Sequence, residues 1–287
     1  LPSTAWRIGE CVVAGETARV NILALVLSDL RLLKHRFFPH GVLDAAWQIA
    51  LFLIVYYGYR LARGAVDGKA AESFQHGRQV ISLERSLHTF VEPAVQGWAT
   101  GTGWLIDTVS YMYVHFHFTL TISALIYLYL WHNHSFYFVR NMLVVAMAMA
   151  LVLYVVFPTA PPRFFPEWGF TDSVARFTGI PADSAPVNAL FNPFAAIPSI
   201  HVCFALILGW PLARLVRSRV IKAFWIVYPF LMTFVVVATG NHFWLDAALG
   251  AATAAVSALV AQRLLARARP DVWTFGAPAT APVQATP

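Results

Sequence analysis

The sequence predicts an all-α integral membrane protein, a six-transmembrane-helix bundle with N-terminal and extracytoplasmic amphipathic helices. Three observations predict it. The 287 residues are 59% hydrophobic and 12% charged, whereas soluble domains carry roughly 25% charged residues. The apolar residues fall in runs of about 20, the length at which a helix crosses the hydrocarbon core. Lys and Arg residues punctuate these runs, and once the spans are counted more of them fall on one side, as the positive-inside rule favours, although Arg63, Lys69, Arg78, Arg85, Arg163 and Arg176 fall on the other.

Taken in order, residues 19–34 are apolar but interrupted by Asp29 and Arg31. They read as an amphipathic helix at the interface, with a seventh span as the alternative. Five runs are long enough to cross: Val42–Leu61, Trp104–Leu130, Phe138–Phe157, Val220–Thr239 and Phe243–Leu264. A sixth, Ala195–Leu215, carries His201 near its start and Pro211 near its end. Residues 70–100 mix apolar and polar side chains near helical spacing and read as an amphipathic helix along the outer interface. Residues 158–195 are rich in Pro and Gly and hold Phe164, Phe165, Trp168 and Phe170. A loop that long is expected to be a lid or part of a site. The Ala/Pro/Thr-rich tail reads as disordered. The domain reading is therefore 1–41 interfacial, 42–268 a catalytic membrane domain with its core at 100–265, and 269–287 a cytoplasmic tail.

Six spans put Arg31, Lys34 and Arg36, Arg140, Arg214 to Lys222, and Arg263 to Arg269 on one side, which should be cytoplasmic. His201, His242 and Arg163 then share the opposite face, although they come from three different loop–helix junctions. The membrane in question is a plasma or inner membrane. The net charge of +6 is explained by this topology, with no aromatic-interleaved basic patch for nucleic acid. Two cysteines, Cys11 and Cys203, far apart in sequence and the second inside an apolar run, provide no disulfide framework and no four-cysteine metal site.

The chemistry concentrates at two span mouths, Pro198-Ser199-Ile200-His201 and Asn241-His242-Phe243-Trp244-Leu245-Asp246. An ionisable residue beside hydrocarbon is costly and points to function. Helical i, i+4 spacing brings Asp246 within reach of His242. A carboxylate on Nδ1 leaves Nε2 as a nucleophile. The plainer alternative is a histidine capping the last span. Ser199 at a helix start can bond free backbone N–H groups, and those same groups bind anions. Arg163 follows a Pro-rich approach and has a fork suited to phosphate, or else snorkels to lipid headgroups. In the second span His115 shares a face with Tyr111. A buried, hydrogen-bonded histidine stands ahead of a site role there, and both residues are kept with Ser199, Asn241 and Arg163 as candidate substrate contacts.

Pro-Ser-x-His followed about forty residues later by His-x-x-x-Asp, in a basic six-span chain, resembles the type 2 phosphatidic acid phosphatase superfamily. The closer likeness is to its inositol phosphorylceramide synthase branch, through Asn192 to His201 and Thr239-Gly240-Asn241-His242. The resemblance covers residues 100–265. It implies that His242 attacks phosphorus and forms a phosphohistidine, and that Asp246 orients it. It implies that His201 protonates the leaving oxygen and then serves as base toward water or an alcohol. It implies no metal and no cofactor, a membrane lipid as substrate, and an alcohol such as inositol as a possible acceptor. Three positions depart from the phosphatase pattern. Val236 stands where an Arg precedes the second His, Ile200 replaces a Gly, and Val156 stands where a Lys precedes Arg163. These losses resemble the transferase branch and leave the phosphate to other cations, such as Arg78 or Arg85. Two readings from other classes remain. One is a metal-dependent hydrolase using His201, His242, Asp246 and His115. The other is a lipid transporter, which predicts repeats that the sequence does not display.

Overall fold

The computed structural model describes residues 37–38, 41–64, 69–180 and 193–265. The interfacial helix expected at 19–34 and the tail at 269–287 lie outside them. The chain divides into two compact units, Leu1–Leu51 and Phe52–Pro287. Among the described residues there are helices and no strand; a single parallel bridge joins Thr159 to Ala195.

Helix α1 spans Val42–Gly64. Helices α2 (Ala70–Ser86) and α3 (Glu92–Gly101) follow. Next come α4 (Gly103–Trp131), α5 (Asn133–Val156) and the short α6 (Ser173–Thr178). The series ends with α7 (Ile200–Leu215), α8 (Arg219–Ala238) and α9 (Trp244–Val260), the last extended by a π-helical turn at Ala261–Leu265. Helices α4, α5, α8 and the extended α9 are long and apolar enough to cross a membrane. The apolar helices Val42–Val55 and Ile200–Leu215 are shorter.

The run expected to span from Ala195 begins as a helix only at Ile200. Pro193 and Pro198 disfavour helical backbone at the residues before them, so the entry stays irregular and Ser199 becomes the N-cap. Sixteen residues rise about 24 Å, and the five-residue entry serves the site instead.

Two cores hold the second unit together. The first, between α4, α5, α7, α8 and α9, is mostly aliphatic and includes Val139, Met142, Leu208, Leu212, Met232 and Val236. Outside it, Val220, Ile226, Val227 and Phe230 on α8 and Leu259 and Leu264 at the end of α9 are exposed. Such apolar surface suits hydrocarbon rather than water. The second core is aromatic: Phe165, Phe170 and Phe243 pack with Val80, Ile81 and Ile197, edged by Phe74, Phe90, Phe164 and Trp168.

The stretch expected as one interfacial helix at 70–100 is two helices, and they do more than lie on a surface. Helix α2 buries Ser73, Gly77, Val80, Ile81 and Glu84, a stripe at helical spacing. That stripe meets the loop after α5, where the Ala160 N–H donates to the Ser73 carbonyl at 3.0 Å. His76 stacks on Phe157 at 3.9 Å. The same loop is tied to the approach of α7 by a 2.8 Å bond from Thr159 N–H to the Phe194 carbonyl.

Candidate active site

The turn carrying His242 is fixed first by backbone chemistry. Just past the end of α8 and its C-cap Thr239, Gly240 has a φ of +68°, in the left-handed region that glycine adopts without steric penalty. A side chain there would also collide with Gln96, since a Cβ would stand 2.5 Å from its Nε2. The N–H groups of Asn241 and His242 fold back onto the Val236 carbonyl at 3.0 and 3.1 Å. Arg163 adds its own N–H to the Gly240 carbonyl at 2.8 Å. Its guanidinium donates to the Asn241 side chain and lies 3.9 Å from Asp172.

Helix α9 begins immediately after this turn, with no Ser, Thr, Asn or Asp at its N-cap, Phe243. Its free N–H groups must therefore find acceptors elsewhere. Three carboxyl groups supply them. Asp246 accepts from Phe243 N–H at 2.9 Å, Glu92 of α3 from Trp244 N–H at 3.0 Å, and Glu84 of α2 from Leu245 N–H at 2.9 Å. All three side chains are buried. Burial, and next the neighbouring Glu92 carboxyl, push the Glu84 acid up to about 9. The sequence pattern treated Glu84 and Glu92 as the polar side of an interfacial helix. The signal that would have found them is the missing local cap on α9.

His242 is held at one nitrogen. Its Nδ1 lies 3.0 Å from the Ala196 carbonyl and 3.3 Å from Asp246 Oδ2. A carbonyl only accepts, so Nδ1 carries the proton and Nε2 keeps its lone pair. The expected His242–Asp246 contact is present, and the Ala196 carbonyl is a second partner that spacing alone could not reveal.

His201 stands across from it, with ring centres 6.0 Å apart. It is 6% exposed, and neither of its nitrogens has a hydrogen-bond partner among the described residues. Rings hold it instead. Tyr113 stacks on it at 4.4 Å, His117 leans on it at 4.9 Å, and Phe118 meets it edge-on at 5.4 Å. Helix α7 docks against α9 beside it: Ser199 N–H donates to the Asp246 carbonyl at 3.0 Å. A Cβ on Gly250 would come within 2.4 Å of the Ser199 carbonyl, so only glycine permits this approach. The Ser199 hydroxyl makes no capping bond and has no partner among the described residues.

Of the expected site residues, His201, His242, Asp246, Ser199, Asn241 and Arg163 come together. Tyr111 and His115 do not join them. They are exposed, pair with each other at 5.5 Å, and His115 faces Phe177 at 6.5 Å. The residues of α4 that reach His201 include the pair two positions along, Tyr113 and His117, together with Phe118. Arg78 and Arg85 are exposed, with Arg85 lying over the Trp168 ring, so neither contributes to the cluster. Among the described residues, no three His, Cys, Asp or Glu side chains gather as a metal would require.

What this arrangement can do chemically is narrow. One imidazole is locked in a tautomer that leaves a nucleophilic nitrogen, and a second sits within one small group's width with both nitrogens free to exchange a proton. No curated protein and no solved structure matches the chain. The family model described as the PAP2 superfamily matches residues 78–260, a stretch that takes in α4 to α9 and both glutamates that cap α9, and the chain belongs to that superfamily of membrane lipid-phosphate enzymes.

Proposed function

We propose that this protein is a phosphotransferase or phosphatase acting on a lipid phosphate or phospholipid headgroup donor through a phosphohistidine at His242. The observation that carries the reading is the pairing of the two imidazoles, 6.0 Å between centres, with Asp246 behind one of them. Reacting atoms in a poised site stand about 3–3.5 Å apart, so a single phosphorus group fits between the two rings.

In the first step His242 Nε2 attacks phosphorus, and the bond from phosphorus to the lipid oxygen breaks. His201 gives its proton to that oxygen. In the second step an acceptor hydroxyl loses its proton to His201 and attacks phosphorus. The P–N bond then breaks and returns its electron pair to His242. Asp246 balances the imidazolium character that His242 gains. Arg163, the Ser199 hydroxyl and Asn241 are the groups proposed to receive phosphate oxygens. Water as acceptor makes the enzyme a phosphatase; an alcohol such as inositol makes it a transferase. The missing cations at Val236 and Val156 favour the transferase, in the manner of the inositol phosphorylceramide synthase branch.

In this reading α1 and α7 join the four long helices as spans, and the site lies on the non-cytoplasmic face. The cation-rich link between α7 and α8 and the end of α9 support that orientation.

The test is incubation of purified protein with lipid phosphates and phospholipids, with and without inositol, followed by mass analysis. Free phosphate identifies hydrolysis and a new phosphodiester identifies transfer. His242→Ala should abolish turnover and the acid-labile phosphoenzyme while the protein still folds. Turnover that persists in His242→Ala overturns the reading.

A further inference from the structure

Helix α4 contains a π-helical turn at Met112–Phe116, in which His117 N–H bonds the Met112 carbonyl five residues back. Turns of this kind insert one residue into an α-helix and are frequent at functional sites. The consequence here is geometric. An α-helix brings i and i+4 to one face, which accounts for Tyr113 and His117. The wider turn also brings the i+5 residue, Phe118, against the same target. All three rings contact His201.

His117 is itself anchored. It is 1% exposed, and its Nδ1 lies 2.8 Å from the Tyr228 hydroxyl of α8. The Tyr228 ring stacks nearly parallel to it, at 17° and 6.2 Å. This hydrogen bond joins α4 to α8 at the level of His201 without consuming either His201 nitrogen. Deep in an apolar bundle, such a polar pair is costly unless satisfied.

We propose that His117, held by Tyr228, is a positioning residue for His201: it fixes the plane of the His201 ring through ring contact while leaving both nitrogens free to carry the proton. This rests on the reading that His201 protonates the leaving oxygen. A ring that rotates away misdirects that proton, and a displacement of about 1 Å in such a site costs on the order of a hundredfold.

The test uses leaving groups that differ in their need for a proton. A 4-nitrophenyl phosphate ester releases a stable phenolate unaided, whereas an alkyl phosphate ester of similar size requires protonation. Three variants of the full chain are compared on both esters: His201→Ala, His117→Ala and Tyr228→Phe. Tyr228→Phe removes one oxygen only and guards against misfolding. The expected result is a loss in kcat on the alkyl ester of about a hundredfold for His201→Ala, about tenfold for His117→Ala and about threefold for Tyr228→Phe. On the nitrophenyl ester the rate of the phenolate burst, which reports the first step alone, should fall by less than about threefold in His117→Ala and Tyr228→Phe, and by far less than on the alkyl ester in His201→Ala, whose second step also loses its base.

Equal losses on both esters in His117→Ala and Tyr228→Phe, or no loss on either, overturn the inference while His201→Ala remains selective. A His201→Ala variant that shows no selectivity overturns the acid role of His201 and the inference with it.

Discussion

The His242 half of the site is fixed by hydrogen bonds, and the His201 half by packed rings. His242 has its Nδ1 shared between a carbonyl and a carboxylate, on a turn whose own amides are tied to Val236, Arg163 and the capping acids. Among the described residues His201 has no such bond at either nitrogen, and it is positioned by Tyr113, His117 and Phe118. In the proposed mechanism the contrast follows from the two tasks. A nucleophile needs one tautomer, so a directional bond at the far nitrogen serves it. A group that gives a proton and then takes one back is hindered by a fixed partner, so contact with ring faces holds it without choosing a protonation state. Within one site, polar and apolar forces are therefore assigned by chemistry rather than by depth.

The hydrogen-bonded half should break most sharply. Asp246→Asn still offers an acceptor to Phe243 N–H but no charge to the imidazolium. It should lower kcat by about 10²–10⁴-fold with little change in thermal stability, as read by phosphoenzyme formation and a melting curve. A loss below about tenfold would show that the Ala196 carbonyl alone fixes the ring.

The ring-held half should fail more gradually. Tyr113→Ala removes the stacked face and should cost about tenfold in kcat, while Tyr113→Phe keeps the face and should stay within about twofold. Equal losses in both would mean that the hydroxyl, not the stacking, matters.

The smallest effect is on pH. Glu84 is held at about 9 in the fold against an ordinary 4.5. The folded state keeps a proton that the unfolded chain releases, so this group's contribution to stability declines as pH rises from about 4.5 through about 9. Glu84→Gln mimics the protonated acid and should flatten that decline in a series of melting curves, with kcat near neutral pH almost unchanged. A variant that destabilises equally at all pH values would show that the acid does not titrate in this window.

Sequence alone went far at the span mouths. The contact of His242 with Asp246 was legible because α-helical spacing needs no tertiary knowledge, Ser199 because a proline before it marks a helix start, and Arg163 because it follows a rigid Pro-rich approach. The second span was legible as a helix but not in its register: counting at 3.6 residues per turn pairs Tyr111 with His115 and gives no cause to expect the π turn that brings Phe118 round with Tyr113 and His117. The run from Ala195 looked long enough to cross because hydropathy counts apolar residues irrespective of backbone, and prolines shortened the helix. Glu84 and Glu92 were hidden for the opposite reason. Hydropathy assigns a glutamate to water, yet both are buried against amides that belong to a helix some 150 residues onward.

The capping of α9 by these two glutamates has a practical consequence for anyone trimming the protein. A version starting at Gly103 would retain every motif residue and every described helix long and apolar enough to cross a membrane. It would nevertheless strip two acceptors from the amides directly behind His242, so the smallest fair miniature of this protein begins no later than Ala70.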